Sequence, residues 1–294
     1  MAEEVELEER LQELRTDRRH GASFLARRAV EALVEVAEVP AATPEELLER
    51  ITNAARLLAT VRPGVGAVAG ALGRLLAAVQ AEKHLASAEL RLLIEREAQA
   101  LIVGRRRAAA SIAVQLSERL AGAVVVTHSA SATVREAVLR TPPARLICTV
   151  SQPIGEGRAF AAELRAAGLI VDLVADADAQ AKVAEASLLL VGADTVFRDG
   201  ALYNKIGTRA LAEAAANRRV PTIVACELIK LAPIDSDQAP PLPAEASELF
   251  DLTPPELIDS IVTEDGTCSS DEVHVLVDRT PFLRSGYALL EAGR

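Results

Sequence analysis

The apolar positions change their period once along the chain, near residue 120. Before it they recur at helical spacing. Thr43-Pro44-Glu45-Glu46 supplies a helix start: a hydroxyl to accept backbone N–H groups, Pro in the first turn, and Glu three residues on. Leu47, Leu48, Ile51, Ala55 and Leu58 follow at the same spacing, with Glu49, Arg50 and Arg56 on other faces. The pattern predicts further helices over 3–15, 21–36, 64–81 and 84–117.

Past residue 120 short β-branched runs take over, at 123–126, 145–150, 170–174, 188–191, 222–226 and 273–277. Helical stretches over 132–140, 157–167, 178–186 and 206–217 separate most of them. Strands alternating with helices of this length predict a parallel sheet, and strands that are apolar throughout predict helices on both of its faces. The expected fold is α/β: a helical N-terminal domain over 1–119 and a Rossmann-like, mostly parallel sheet domain over 120–294. The Pro-rich, acidic segment 232–256 reads as a long ordered loop before a last strand at 273–277.

Composition narrows the function. Half of the residues are hydrophobic but only 2% are aromatic and Trp is absent, so the core is Ala, Leu, Val and Ile, with no platform for stacking bases. A net charge of -10 argues against binding nucleic acid, where affinity comes from neutralising phosphates. Cys148, Cys226 and Cys268 lack the paired spacing of a disulfide framework or a zinc site, and no cofactor or metal is indicated. The acidic amino terminus lacks the features of a signal peptide, and no apolar run reaches the roughly 20 residues needed to span a bilayer. A soluble cytoplasmic protein with no membrane partner is expected.

Polar residues gather where the strands should end. Ser129 and Ser131 follow the first strand in VVVTHSASAT, Ser151 follows the second, Asp194 follows LLLVGA, and Glu227 and Lys230 follow TIVAC. An open parallel sheet binds ligands beyond the carboxyl ends of its strands. Asn204 and Lys205 precede a helix expected to open near Ile206 or Gly207, where an ammonium beside free backbone N–H groups suits a phosphate. With only 4 Lys against 28 Arg, the placement of Lys205 and Lys230 at such loops is informative.

GADTVFRDGALYNKIGTRALAEAA, then VPTIVACELIKL and ELFDLTPPELIDSIVTEDG, resemble the superfamily of the regulatory alpha, beta and delta subunits of translation initiation factor 2B. That superfamily also holds ribose-1,5-bisphosphate isomerase and methylthioribose-1-phosphate isomerase. HGASFLARRA (20–29) and ATVRPGV (59–65) extend the likeness upstream. The resemblance implies a phosphosugar or nucleotide pocket between helical and Rossmann-like domains, and a homodimer or higher homo-oligomer. It implies ligand contacts at Gly21, Ala22, Arg62, Ser131, Asn204, Lys205 and Lys230, with Arg158 of GEGR near the pocket and Asp194 as the catalytic acid.

Departures from the isomerase pattern bear on activity. The first strand ends Thr127-His128-Ser129, where the isomerases end in a reactive Cys. A hydroxyl is far less acidic than a thiol and needs a partner base. His128, on the opposite side of the strand, is expected to be packed or hydrogen-bonded instead of serving Ser129. Ser151-Gln152-Pro153 resembles the initiation-factor alpha subunit, and His20 stands where the isomerases carry Arg, which weakens the grip on a second phosphate. Three functions remain open. They are a sugar-phosphate or nucleoside-monophosphate binding protein, an aldose–ketose isomerase of a ribose-1-phosphate-type substrate with Asp194 and Ser129 in its chemistry, and a translation-factor subunit acting through protein–protein contacts.

Overall fold

The computed structural model describes residues 2–291. The predicted helices form as α1 (Ala2–Thr16), α2 (Ala22–Glu38), α3 (Pro44–Thr60), α4 (Gly66–Ala81) and α5 (Ser87–Leu120). Thr43 caps α3, its side chain accepting the Glu46 N–H at 3.2 Å. Leu47, Ile51, Ala55 and Leu58 are fully buried against the neighbouring helices. α5 serves two layers: Leu90 and Ile94 join the helical core, whereas Ile112, Leu116 and Leu120 pack beneath the sheet with Val125 and Leu146.

The α/β part alternates β1 (Val124–Thr127), α6 (Ala132–Arg140), β2 (Arg145–Thr149), α7 (Gly157–Ala166), β3 (Val171–Val174), α8 (Asp176–Lys182) and β4 (Leu188–Val191). It continues through β5 (Thr195–Val196), β6 (Leu202–Lys205), α9 (Thr208–Arg218), β7 (Thr222–Ala225), α10 (Ala244–Ser247), β8 (Phe250–Thr253), β9 (Ser260–Thr263) and β10 (Gly266–Cys268). The main sheet has the order β10-β9-β7-β4-β1-β2-β3, parallel except for β10. From β1 the chain steps outward through β2 and β3, then returns to β4 and proceeds the other way. The reversal opens a crevice beyond the carboxyl ends of β1 and β4, where a ligand is expected in this class of sheet.

The structure corrects the reading of the carboxyl-terminal region. The run 273–277 is helix, α11 (Val273–Asp278), followed by α12 (Pro281–Glu291). Its buried residues Val273, Leu276 and Val277 have helical spacing, and Ser269 with Glu272 forms a capping box before it. The sheet is instead extended beyond β7 by β9, inside IDSIVTEDG, with β10 at the edge. The segment 232–256 is not purely loop: it holds α10 and β8, and β8 pairs antiparallel with β6. Asn204 and Lys205 thus lie on a strand of a small second sheet, β5-β6-β8, and the following helix starts at Thr208 behind Gly207, whose φ of +102° gives a turn that favours Gly. α12 returns to the helical layer, where Gly73 of α4 and Gly286 lie backbone against backbone.

Candidate functional site

The tips of β1 and β2 are locked together. Ser129 and Ser151 both have φ of +65°, uncommon for a residue with a side chain, and each is held by hydrogen bonds. The Ser129 N–H donates to Ser151 Oγ at 2.8 Å. The Ser151 and Gln152 N–H groups donate to the two carboxylate oxygens of Asp176, each at 2.7 Å. His128 is buried, its Nδ1 2.6 Å from Thr149 Oγ1 and its Nε2 2.8 Å from the Ile206 carbonyl. As expected it supports the loop and makes no bond to Ser129. Burial lowers its pKa.

Ser129 has an acidic partner that the sequence pattern does not reveal. Its Oγ donates to Glu156 Oε1 at 2.7 Å, and Glu156 Oε2 lies 3.2 Å from the Lys205 ammonium. Glu156 precedes α7, whose first residue, Gly157, has no room for a side chain: a Cβ would stand 1.8 Å from the Thr149 carbonyl. That close approach carries Glu156 to the end of β1. Lys205 is buried, while the Glu156 side chain is 19% exposed, on the cleft.

A second arm comes from the helical layer. Gly21 and Ala22 open α2, where the first N–H groups have no intrahelical partner. Ser23 ties this end to the sheet by donating to Glu227 Oε1 at 3.0 Å, and Glu227 also pairs with Arg105 of α5 at 3.3 Å. Arg62 is buried, and its Nη1 donates to the carbonyls of Leu14, Arg15 and Asp17 at the end of α1. Burial, with Arg18 nearby, lowers its pKa.

These parts enclose two adjoining hollows that share Gly21, Ala22, Ser129, Ala130 and Asp194. The smaller, about 120 Å³, takes in Arg62, Glu156 and Lys205. The larger, about 740 Å³, takes in Ser131, Thr133, Asn204 and Lys230. Ser131 caps α6, accepting the Val134 N–H at 3.3 Å. Asn204 Nδ2 donates to Thr208 Oγ1 at 3.0 Å. Lys230 is buried, and its Nζ donates to the Ala193 carbonyl at 2.8 Å. No carboxylate lies within ion-pair distance of it among the described residues. Asp194 stands at the junction, its pKa raised to about 6 by burial against the opposing pull of Lys230 and Arg62.

Nine of the ten site residues expected from the sequence therefore border one continuous cleft. Arg158 does not: it is exposed on α7 and lines neither hollow. His20 stacks on Phe24, with ring centroids 3.8 Å apart, and bonds Asp17 at 2.7 Å. Arg18 and Arg19 line the smaller hollow beside it, and Arg27, Arg105, Arg106 and Arg135 line the larger one. None of Cys148, Cys226 or Cys268 lines the cleft, so no thiol stands in at the end of β1.

A doubly wound sheet with a charged cleft at its switch point, closed by a helical layer, defines an α/β protein whose cleft lies where sheets of this class bind ligands. The chain belongs to the initiation factor 2 subunit family, whose model matches residues 18–270. The ribose 1,5-bisphosphate isomerase of Archaeoglobus fulgidus is 30% identical over 97% of this chain and 96% of its own. That of Haloterrigena turkmenica is 31% identical over 87% and 88%. Among solved structures, translation initiation factor eIF-2B of Pyrococcus horikoshii superposes with a TM-score of 0.77 at 28% identity, covering 90% of this chain and 96% of that one. The 5-methylthioribose 1-phosphate isomerase of the same organism, at 23% identity and a TM-score of 0.69 over 98% and 88%, shares the fold.

Proposed function

We propose that the chain binds a phosphorylated sugar or a nucleoside monophosphate in the cleft between the helical layer and the sheet. The observation that carries this reading is Lys230. A buried ammonium whose one hydrogen-bond partner is a neutral carbonyl is costly unless an anion completes it. Lys230 borders the hollow onto which the first turns of α2 and α6 open. Ser131, Asn204 and the N–H groups of Gly21 and Ala22 add donors suited to phosphoryl and hydroxyl oxygens. A homodimer or higher homo-oligomer is part of the proposal by kinship with the family. Thermal unfolding with ribose 5-phosphate tests the binding: ligand at 100 times its Kd stabilises by about 2.7 kcal/mol. The shift should vanish in Lys230→Met. Absence of a shift with every pentose and hexose phosphate tried would refute the proposal.

A second reading, an aldose–ketose isomerase of a ribose-1-phosphate-type substrate, is favoured by one observation. Asp194 has a carboxyl at about 6, suited to giving and taking a proton near neutral pH, beside a hydroxyl bonded to a carboxylate. The names of the curated relatives support it, and the missing Cys weighs against it. Product analysis with methylthioribose 1-phosphate and ribose 1,5-bisphosphate is the test. Turnover that survives Asp194→Asn unchanged removes Asp194 from the chemistry. A gain in rate with Ser129→Cys would show that the thiol is what the chain lacks.

A further inference from the structure

We infer that Glu156 sets the charge of the ligand this cleft accepts: one phosphoryl group, held at the Lys230 end, with the uncharged hydroxyl-bearing end of the sugar against Glu156. The inference rests on the proposed phosphosugar binding and refines it.

The two lysines in the cleft are not equivalent. Lys230 has no carboxylate within ion-pair distance among the described residues, and Asp194 acts on it only from farther off. Lys205 already has one, since Glu156 Oε2 lies 3.2 Å from its ammonium in a pair that is 5% and 19% exposed. A pair so withdrawn from water is weakly screened. A phosphoryl group brought to Lys205 would meet an attractive ammonium and a repulsive carboxylate together. Arg62, the other buried cation of the smaller hollow, faces the carbonyl end of α1, whose partial negative charge offsets it. Asp194 borders both hollows and Glu136 and Glu227 line the larger, so what sets the smaller apart is the carboxylate paired directly with its buried lysine.

What Glu156 does offer is acceptors. Its Oε1 already takes the Ser129 hydroxyl at 2.7 Å, and a carboxylate has further lone pairs for neighbouring hydroxyls. The Ser129 oxygen keeps its own accepting capacity for another. A sugar's hydroxyls fit that surface, and a phosphate dianion does not. Volume agrees: the smaller hollow, about 120 Å³, takes the end of a sugar, while the larger, about 740 Å³, has room for a phosphate with its bridging waters.

Calorimetric titration with ribose 5-phosphate and ribose 1,5-bisphosphate tests this. The wild-type protein should bind the bisphosphate no more than threefold tighter than the monophosphate. Glu156→Gln, which keeps the shape and the hydrogen bond from Ser129 but frees Lys205, should tighten the bisphosphate at least tenfold and change the monophosphate less than threefold. Glu156→Asp, which keeps the charge, should retain the wild-type ratio. A wild-type advantage for the bisphosphate above threefold, or a ratio that Glu156→Gln leaves unmoved, overturns the inference and leaves phosphosugar binding standing. If neither ligand binds the wild-type protein, the proposed function itself fails. The wild-type and Glu156→Asp measurements decide the matter even if Glu156→Gln does not fold.

Discussion

The imidazole of His128 and the hydroxyl of Thr149, 2.6 Å apart, join the tips of two adjacent parallel strands. The bond continues from Thr149 Oγ1 to Ser151 Oγ at 2.7 Å, and from there to the backbone of Ser129. One buried chain of polar groups thus fixes the loop that presents Ser129 to the cleft.

Thr149→Val keeps the shape and removes the middle of that chain. It takes the close partner from His128 Nδ1 and one of the bonds from Ser151 Oγ, and a loss of about 1–3 kcal/mol is expected in urea unfolding. Stability should also be pH-dependent through His128. Burial lowers its folded pKa below the ordinary 6.5, so below that value the unfolded chain holds the extra proton. The contribution is complete above 6.5 and declines as pH falls through the unfolded value. Replacing His128 by Asn should flatten this part of the stability profile.

Asp194 has the opposite sign. Its carboxyl is raised from 3.8 to about 6, so between those values the folded protein holds the proton and the unfolded chain does not. The contribution is complete below 3.8 and is lost as pH rises through about 6, leaving the ionised carboxylate unfavourable at neutral pH by on the order of 3 kcal/mol. Asp194→Asn should stabilise the protein at pH 7.5 by a similar amount and change little at pH 4. Unfolding midpoints of both proteins across that range check it. A variant less stable at pH 7.5 would mean that the cations beside Asp194 outweigh its burial.

Thr133 gives a test in which stability and binding move apart. Its Oγ1 is buried without a hydrogen-bond partner, in the first turn of α6 where that helix borders the larger hollow. In the free protein Thr133→Val removes an unmatched hydroxyl, so stability should hold or rise by up to about 1 kcal/mol. If the hydroxyl serves a bound phosphoryl group, affinity for ribose 5-phosphate should fall roughly tenfold, the worth of one hydrogen bond to a charged group. Unchanged affinity would assign Thr133 to packing alone.

The legible parts of the molecule were those where local pattern and tertiary environment agree. Helices of the first half and five of the six predicted parallel strands read correctly because each has one period and one burial pattern along its length. EVHVLVD misled because β-branched residues at 273, 275 and 277 outweighed the helical spacing of those that are buried. β6 was hidden because LYNK pairs with β8, some fifty residues later, and no local signal reports such a partner. The cleft residues at strand tips were visible as polar groups after apolar runs. Glu156 was not, since its position depends on Gly157 meeting the Thr149 carbonyl, a contact between β2 and α7. Arg158, two residues on, carries the more conspicuous charge for a phosphate site but is exposed and lines neither hollow.

Gly70 links the helical layer to the cleft. A Cβ there would stand 1.9 Å from the carbonyl oxygen of Ile229, the residue before Lys230. In an open helix Gly→Ala stabilises by about 1 kcal/mol, and Gly104 of α5, where a methyl group would meet nothing within 4 Å, should behave that way. At Gly70 the clash is with backbone, which cannot rotate aside, so Gly70→Ala should cost about 1–3 kcal/mol or more. The displaced turn carries Lys230 with it. Ribose 5-phosphate affinity should therefore drop in Gly70→Ala and stay at the wild-type value in Gly104→Ala, measured on folded protein at a temperature well below both melting points. Equal affinities in the two variants would show that the turn holding Lys230 accommodates the methyl group without moving its ammonium.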